Sequence, residues 1–403
     1  MWATAHLSHP KSAYGLAEAA GRATNAQQSE TTIGWLFLAI SPPFRADHIG
    51  SLLRPGRLRQ AFRQHGRHEI DDAEFRRIQD DSIRDVVRLQ ESVGLRVVTD
   101  GEFRRGSYWS RFVELTDGLA VRESRFRFHD DHGHEADFTA PHVIGQVRRK
   151  QPIGLEEFSF VRDATKATPK VTMPAPSSMH FWRGTQYADP GIYADPTEFF
   201  RDLSQIYRQE IADLAAAGGR YVQLDEVALA MLCDPAARAK VAGDGADPDR
   251  LVDLYIDAIN QAVTDRPTGM IVGVHLCRGN FKGQYLAAGG YDSIAERLFQ
   301  GTRVNHFLLE FDTPRAGDFA PLRFVPKDKG VVLGLISSKV ATLEPLDLLQ
   351  RRVAEAARHI DLDRLAISPQ CGFASTAAGN PVTEADERAK LRLVVEAATA
   401  IWG

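Results

Sequence analysis

The sequence predicts an α/β chain folded as a (β/α)8 TIM barrel, with an insertion after the second strand. Short apolar runs alternate with long amphipathic stretches from residue 42 onward, the pattern of repeated strand–helix units. Eight such runs can be counted, the number that closes a barrel. Polar and metal-ligating residues follow nearly every run, where a barrel exposes the C-terminal ends of its strands. A length of 403 residues admits two average domains, but one barrel with an insertion also accommodates it.

Residues 1–40 are rich in Ala, Ser, Gln, Gly and Thr without a sustained apolar period, which predicts a disordered N-terminal extension. The apolar run Trp35-Leu-Phe-Leu-Ala-Ile40 is too short to span a bilayer and lies too deep for a secretory signal. Residues 41–403 are then a single catalytic barrel. Its predicted strands are 44–50, 96–100, 170–174, 221–225, 270–277, 304–311, 330–336 and 365–368. Helices are predicted over 72–93, 196–217, 248–264, 291–299, 345–359 and 384–401. Around the fifth of these, Leu348, Val353, Ala357 and Ile360 recur at helical spacing with arginines between them. Residues 118–167 break the rhythm and form the insertion, where the alternating Arg125-Phe-Arg-Phe128 predicts a β-hairpin. His129, His132 and His134 sit there among aspartates without apolar framing, the pattern of a solvated loop rather than a second metal site. No GxGxxG or Walker pattern follows a strand, which argues against a nucleotide site.

Composition narrows the function. With 43% hydrophobic and 25% charged residues and a net charge of −4, nothing marks nucleic acid or an anionic membrane as a partner. Small-molecule substrates are expected, and a homo-oligomer remains open. Three cysteines form no disulfide framework and point to a reducing, cytoplasmic compartment.

Two of those cysteines carry the chemistry. Met270-Ile-Val-Gly-Val-His-Leu-Cys277 reads as a buried strand, and residues two apart on a strand share a face, so His275 and Cys277 can reach one metal. Glu310 closes another apolar run, and Cys371 follows a third. Imidazole, thiolate and carboxylate are donors that zinc accepts in tetrahedral geometry. A structural zinc finger draws its ligands from tight local pairs; four donors from separate strand ends suit an active site.

At this point the chain resembles the cobalamin-independent methionine synthases, through their catalytic C-terminal barrel and its short single-barrel relatives. The resemblance runs from residue 42 to 403. It is carried by Phe44-Arg-Ala-Asp-His-Ile-Gly-Ser-Leu-Leu-Arg-Pro55, Val97-Val-Thr-Asp-Gly-Glu-Phe-Arg-Arg105, Tyr221-Val-Gln-Leu-Asp-Glu226, His275-Leu-Cys-Arg-Gly-Asn280 and Ser368-Pro-Gln-Cys-Gly-Phe373. It implies zinc held by His275, Cys277, Glu310 and Cys371. It also implies an amino-acid pocket in which Ile49, Gly50 and Ser51 hold a carboxylate while Glu102 and Asp225 hold an ammonium. Such a protein would transfer a methyl group to homocysteine, giving methionine.

The donor stays open among methyl-folate, methylcobalamin and another methyl compound. The family's histidine after the seventh strand, which assists the folate leaving group, aligns with Ile336 here. His180 is the candidate to replace it and Trp182 the candidate to stack on a flat donor; a polar loop with a packed tryptophan is the alternative. Two thiolates and a carboxylate outweigh the charge of zinc, which suits a nucleophilic substrate thiolate better than carbonyl polarisation. A displaceable Glu310 would make room for sulfur. Two other readings compete: a thiol alkyltransferase or lyase of the epoxyalkane–coenzyme M transferase type, and a non-catalytic zinc- or thiol-binding barrel.

Overall fold

The structure is a computed structural model that describes residues 42–403. The expected extension over 1–40 lies outside the described residues. Eleven strands are numbered here in chain order: β1 (Val97–Val98), β2 (Thr116–Glu123), β3 (Phe128–His129), β4 (Glu135–Ala136), β5 (Thr139–Arg149), β6 (Thr168–Pro174), β7 (Tyr221–Glu226), β8 (Ile271–Leu276), β9 (His306–Glu310), β10 (Gly330–Ile336) and β11 (Leu365–Pro369). Seven of them form one sheet in the order β1-β6-β7-β8-β9-β10-β11. Every pairing in it is parallel. With helices between the strands this is the α/β TIM-barrel-like fold that the alternation predicts.

The eighth position differs from expectation. Residues 44–50 form no ladder among the described residues but a single parallel bridge, Ala46 to Ile367 on β11. The barrel is therefore not closed by backbone pairing on its β1 side. The physical reason lies in the carbonyls of this segment, which side chains occupy instead. Lys170 Nζ donates to the His48 carbonyl. Gln223 Nε2 donates to that of Ile49 at 2.6 Å and Thr99 Oγ1 to that of Gly50 at 2.6 Å.

Helices begin where short-range chemistry dictates. Asp195, Asp234 and Asp247 each cap a helix through the carboxylate and are each followed by proline at the first helical position. The helices Pro196–Ala216, Pro248–Ala262 and Glu384–Trp402 match their predicted spans closely. The predicted 291–299 helix divides into a 3-10 turn at Tyr291–Ser293 and a helix at Ala295–Gly301. Helices at Gly56–Gly66, Leu155–Ala164 and Pro235–Gly243 were not anticipated. No described helix is long and apolar enough to cross a membrane.

Within 118–167, β2 and β5 pair as a long antiparallel ribbon and β3 and β4 as a small hairpin. The helix Leu155–Ala164 then packs on β6 and on the helix Asp72–Ser92, as a barrel helix does. The β3 strand is tied over the barrel mouth: His129 and Tyr285 exchange backbone hydrogen bonds of 2.9 and 3.0 Å.

Inside the barrel, alternate residues of each strand face one another in layers. Register places Lys170 beside Tyr221, Thr172 beside Gln223, and Asp225 beside His275. The lowest of these layers is polar. Lys170 Nζ lies 2.7 Å from Asp47 Oδ1 with both side chains 0% exposed. The Tyr221 hydroxyl bridges Asp47 Oδ2 and His306 Nε2 at 2.7 Å each. Gly273 makes room for this layer: a Cβ there would meet His306 Nε2 at 2.5 Å.

Candidate active site

A cavity of about 540 Å³ opens at the C-terminal ends of the strands, and Ile49, Ser51, Glu102, Trp182, Asp225, His275, Cys277 and Cys371 all line it. One sequence-predicted set from six separate chain segments thus meets in one space.

Among the described residues, one group of three or more His, Cys, Asp or Glu donors can hold a metal: His275, Cys277 and Cys371, whose ligand atoms all lie within 4.8 Å of one another. The Cys277 and Cys371 sulfurs are 3.1 Å apart. Sharing a proton pulls Cys371 well below the usual thiol range and pushes Cys277 well above it. His275 Nδ1 faces the Leu308 carbonyl at 3.2 Å, which leaves Nε2 buried without a hydrogen-bond partner. A ring fixed at one nitrogen by a carbonyl, with the other nitrogen free beside two thiols, is the arrangement a zinc ligand takes. These donors fit zinc.

Glu310 lies outside that group. Its carboxylate accepts from the Arg278 backbone N–H at 2.8 Å, with Arg315 at 3.5 Å and Lys339 at 4.0 Å. Burial alone would raise its pKa, but Lys339 and Arg278 outweigh that and hold it below the ordinary range. It is a buried anion resting in a positive collar.

The expected amino-acid pocket has a built framework. Gly50 adopts φ +128°, and a Cβ there would meet Thr172 Cγ2 at 2.5 Å, so only glycine fits this turn. Ser51 is pressed onto Gly372, whose notional Cβ would lie 1.9 Å from Ser51 Oγ. Glu102 holds a left-handed backbone at φ 61°, a strained conformation for a non-glycine residue. Buried Arg54 ties that turn down through the Glu102 and Arg105 carbonyls at 2.8 and 2.6 Å. Thr172 Oγ1 donates to Glu102 Oε1 at 2.8 Å, while Oε2 is buried without a partner. Asp225 Oδ1 accepts from Gln223 Nε2 at 2.7 Å. Burial, then the nearby Glu102 charge, raises the Asp225 pKa to about 7. Burial raises that of Glu102 as well. Each buried acid raises the cost of ionising the other.

His180 requires a correction. The structure turns it away from this cavity, with Nδ1 2.8 Å from the Tyr255 hydroxyl and its ring among Tyr187, Phe200 and Tyr255. Burial lowers its pKa to about 3, which makes it a packed neutral ring rather than an acid at the reaction centre. The 3-10 turn Phe181–Gln186 sends Trp182, two residues on, into the cavity instead.

Sequence reasoning passed over Tyr108, Trp109, Phe138 and Phe281 in the cavity wall, and Lys170 and Gln223 beneath it. A signal existed for the last two, because each interrupts an apolar strand at the inward register.

Residues 44–400 match the family described as the cobalamin-independent synthase catalytic domain. The uncharacterized protein YxjH of Bacillus subtilis is 40% identical over 364 residues, covering 89% of this chain and 95% of that protein. A methionine synthase of Pyrococcus abyssi is 28% identical, over 81% of this chain and 85% of the relative. Among solved structures, the putative vitamin-B12-independent methionine synthase of Listeria monocytogenes superposes with a TM-score of 0.69 at 30% identity, covering 90% of this chain and 99% of that one. With the fold, the strand-end residues and these relatives in agreement, the chain belongs to the cobalamin-independent methionine synthase family, through its catalytic barrel.

Proposed function

We propose that this protein is a zinc-dependent methyltransferase that methylates the thiol of homocysteine to give methionine. One observation carries the reading: the His275, Cys277 and Cys371 donors and the Glu102–Asp225 acid pair line the same cavity. That puts a thiol-activating centre and an ammonium receptor within the reach of one small amino acid.

Ile49, Gly50 and Ser51 take the substrate carboxylate through backbone N–H groups and the serine hydroxyl. Glu102 and Asp225 take the ammonium, which relieves their mutual repulsion. His275, Cys277 and Cys371 hold the metal, with Glu310 as the fourth and displaceable donor. Zinc, when bound, supplies the charge that keeps a thiol ionised at neutral pH. Arg278, Arg315 and Lys339 offset the excess negative charge of the donor set and give the Glu310 carboxylate a place to rest. A sulfonate thiol has no ammonium and would leave both acids unpaired, so the acceptor is an amino-acid thiol. Free, undisulfided cysteines suit a cytoplasmic setting.

The test is metal content together with methionine formation in purified protein. One zinc per chain is expected, lost with activity in Cys277→Ser and Cys371→Ser and retained in Cys233→Ser. Cys233 is buried away from the cluster, its pKa pushed up to about 12 by that burial. X-ray absorption should gain a sulfur neighbour when homocysteine is added, with proton release. Full zinc occupancy in the double cysteine variant, or a zinc environment blind to homocysteine, would refute the reading.

A further inference from the structure

The cavity is larger than its acceptor half. Beyond the acids and thiols its wall is aromatic, built from Tyr108, Trp109, Phe128, Phe138, Trp182 and Phe281. Four of these rings pack in a chain, tilted at the first two contacts and edge to face at the last. Phe281 and Phe128 have centroids 5.3 Å apart, Phe128 and Phe138 5.0 Å, and Phe138 and Trp182 5.3 Å. Two come from the segment folded over the barrel mouth and two from the barrel's own loops. Buried polar atoms without partners lie on the same wall: Trp182 Nε1 and Asn280 Oδ1, on side chains 3% and 5% exposed. A polar ligand is therefore expected beside the rings.

The titratable groups of the lining limit what that ligand can be. Glu102 and Asp225 are committed to the acceptor ammonium, and His275, Cys277 and Cys371 to the metal. Asp137 stands at the exposed rim, paired with Arg127 at 2.8 Å. Burial raises the Tyr108 hydroxyl above its ordinary range, so it is a poor acid. Among the described residues lining the cavity there is no lysine or arginine. Two consequences follow. No lining acid is free to protonate a departing amide- or amine-type nitrogen. A polyanionic donor finds no cationic counterpart within the cavity, whereas a cation meets ring faces.

We propose that this aromatic wall is the methyl-donor subsite and that its donor is a small methylsulfonium compound, resting on the thiol-acceptor reading above. The acceptor thiol first gives its proton to solvent. The thiolate sulfur then forms a bond to the methyl carbon as the carbon–sulfonium bond breaks. The electron pair of that bond returns to the departing sulfur, which leaves as a neutral thioether and needs no proton. The positive charge of the donor and the negative charge of the thiolate cancel.

The experiment uses the zinc-loaded full chain with homocysteine and donors carrying a ¹³C-methyl group. These are S-methylmethionine, trimethylsulfonium, glycine betaine, mono- and triglutamyl methyltetrahydrofolate, and methylcobalamin. Labelled methionine from a sulfonium donor is expected, faster than from the others. Calorimetry should show trimethylsulfonium binding about 2- to 30-fold tighter than a neutral carbon isostere, the range that cation–π contacts supply. Phe138→Leu should remove most of that preference while homocysteine affinity and zinc content stay unchanged. Methionine from a methyl-folate, methylcobalamin or betaine but not from a sulfonium overturns the donor class and leaves the acceptor reading standing. Equal binding of cation and isostere also overturns it. Failure of homocysteine itself to bind is a different result, which takes down the acceptor reading.

Discussion

In the proposed pocket, Asp225 and Glu102 divide one task between unequal side chains. Asp225 is oriented by Gln223, whereas Glu102 sits on a strained turn with one oxygen unpartnered. Removing either charge strands the substrate ammonium in a buried space, a loss of about 2–5 kcal/mol. Asp225→Asn should therefore lower kcat/KM for homocysteine roughly thirtyfold to several thousandfold, with zinc content intact. Steady-state kinetics with metal analysis on the same sample checks it, and unchanged kinetics would remove Asp225 from the site. At this scale much was legible beforehand. His275, Cys277, Cys371, Asp225 and Glu102 are polar residues at strand ends, where a barrel has no structural need of them. His180 misled because a histidine beside Trp182 looks catalytic in one dimension. Which of the two, a residue apart, faces the cavity depends on a 3-10 turn, and a contact with Tyr255 75 residues away decides it.

At the level of elements, the first stave replaces backbone pairing with side-chain donors, and Lys170 is the centre of that replacement. It meets Asp47, the His48 carbonyl and Gln223 in a fully buried layer. Its loss would leave the Asp47 charge buried and only partly compensated, a cost of about 3–5 kcal/mol. Lys170→Met should lower the urea midpoint accordingly and raise KM for homocysteine more than it lowers kcat, because Ile49 to Ser51 lose their support. Adding Asp47→Asn should recover part of the stability; no recovery would mean that the pair does not act as a unit. The strands β6 to β11 were readable because their apolar runs are long and buried on both faces. The stave at 44–50 looked equally strand-like, yet its pairing depends on residues that chain distance hides. The helix Pro235–Gly243 carried a readable signal after all, the Asp234-Pro235 start shared with two longer helices. Its small apolar content gave it no clear periodicity.

Over the whole molecule, the last helix locks onto the first segment. Glu387, on Glu384–Trp402, accepts the Leu53 backbone N–H at 2.7 Å, and burial raises its pKa to about 8. The folded state thus keeps a proton that the unfolded chain releases near pH 4.5, so this group's contribution to stability falls as pH rises from about 4.5 to 8. Glu387→Gln keeps an acceptor for Leu53 without the ionisation. Its melting temperature should match or trail the native protein at pH 5 and exceed it at pH 9, by about 2–4 °C per kcal/mol. A constant difference across pH would show that Glu387 does not ionise in this way. The barrel class was legible from alternation alone. The lack of closure beside β1 was not, because closure depends on which partners the carbonyls of one short segment choose.

That open seam has a consequence for how the protein is made. Arg45, at the start of the first stave, is anchored to the Leu365 carbonyl, 320 residues further along the chain. At ribosomal speeds of about 5–20 residues per second, that partner arrives roughly 15–60 s later. Throughout that interval the proposed carboxylate-binding turn at Ile49 to Ser51 lacks its bridge to β11, although Lys170 and Gln223 are synthesised earlier. The part of the pocket that is synthesised first is the part that becomes competent last, and it waits on the final strand of the barrel.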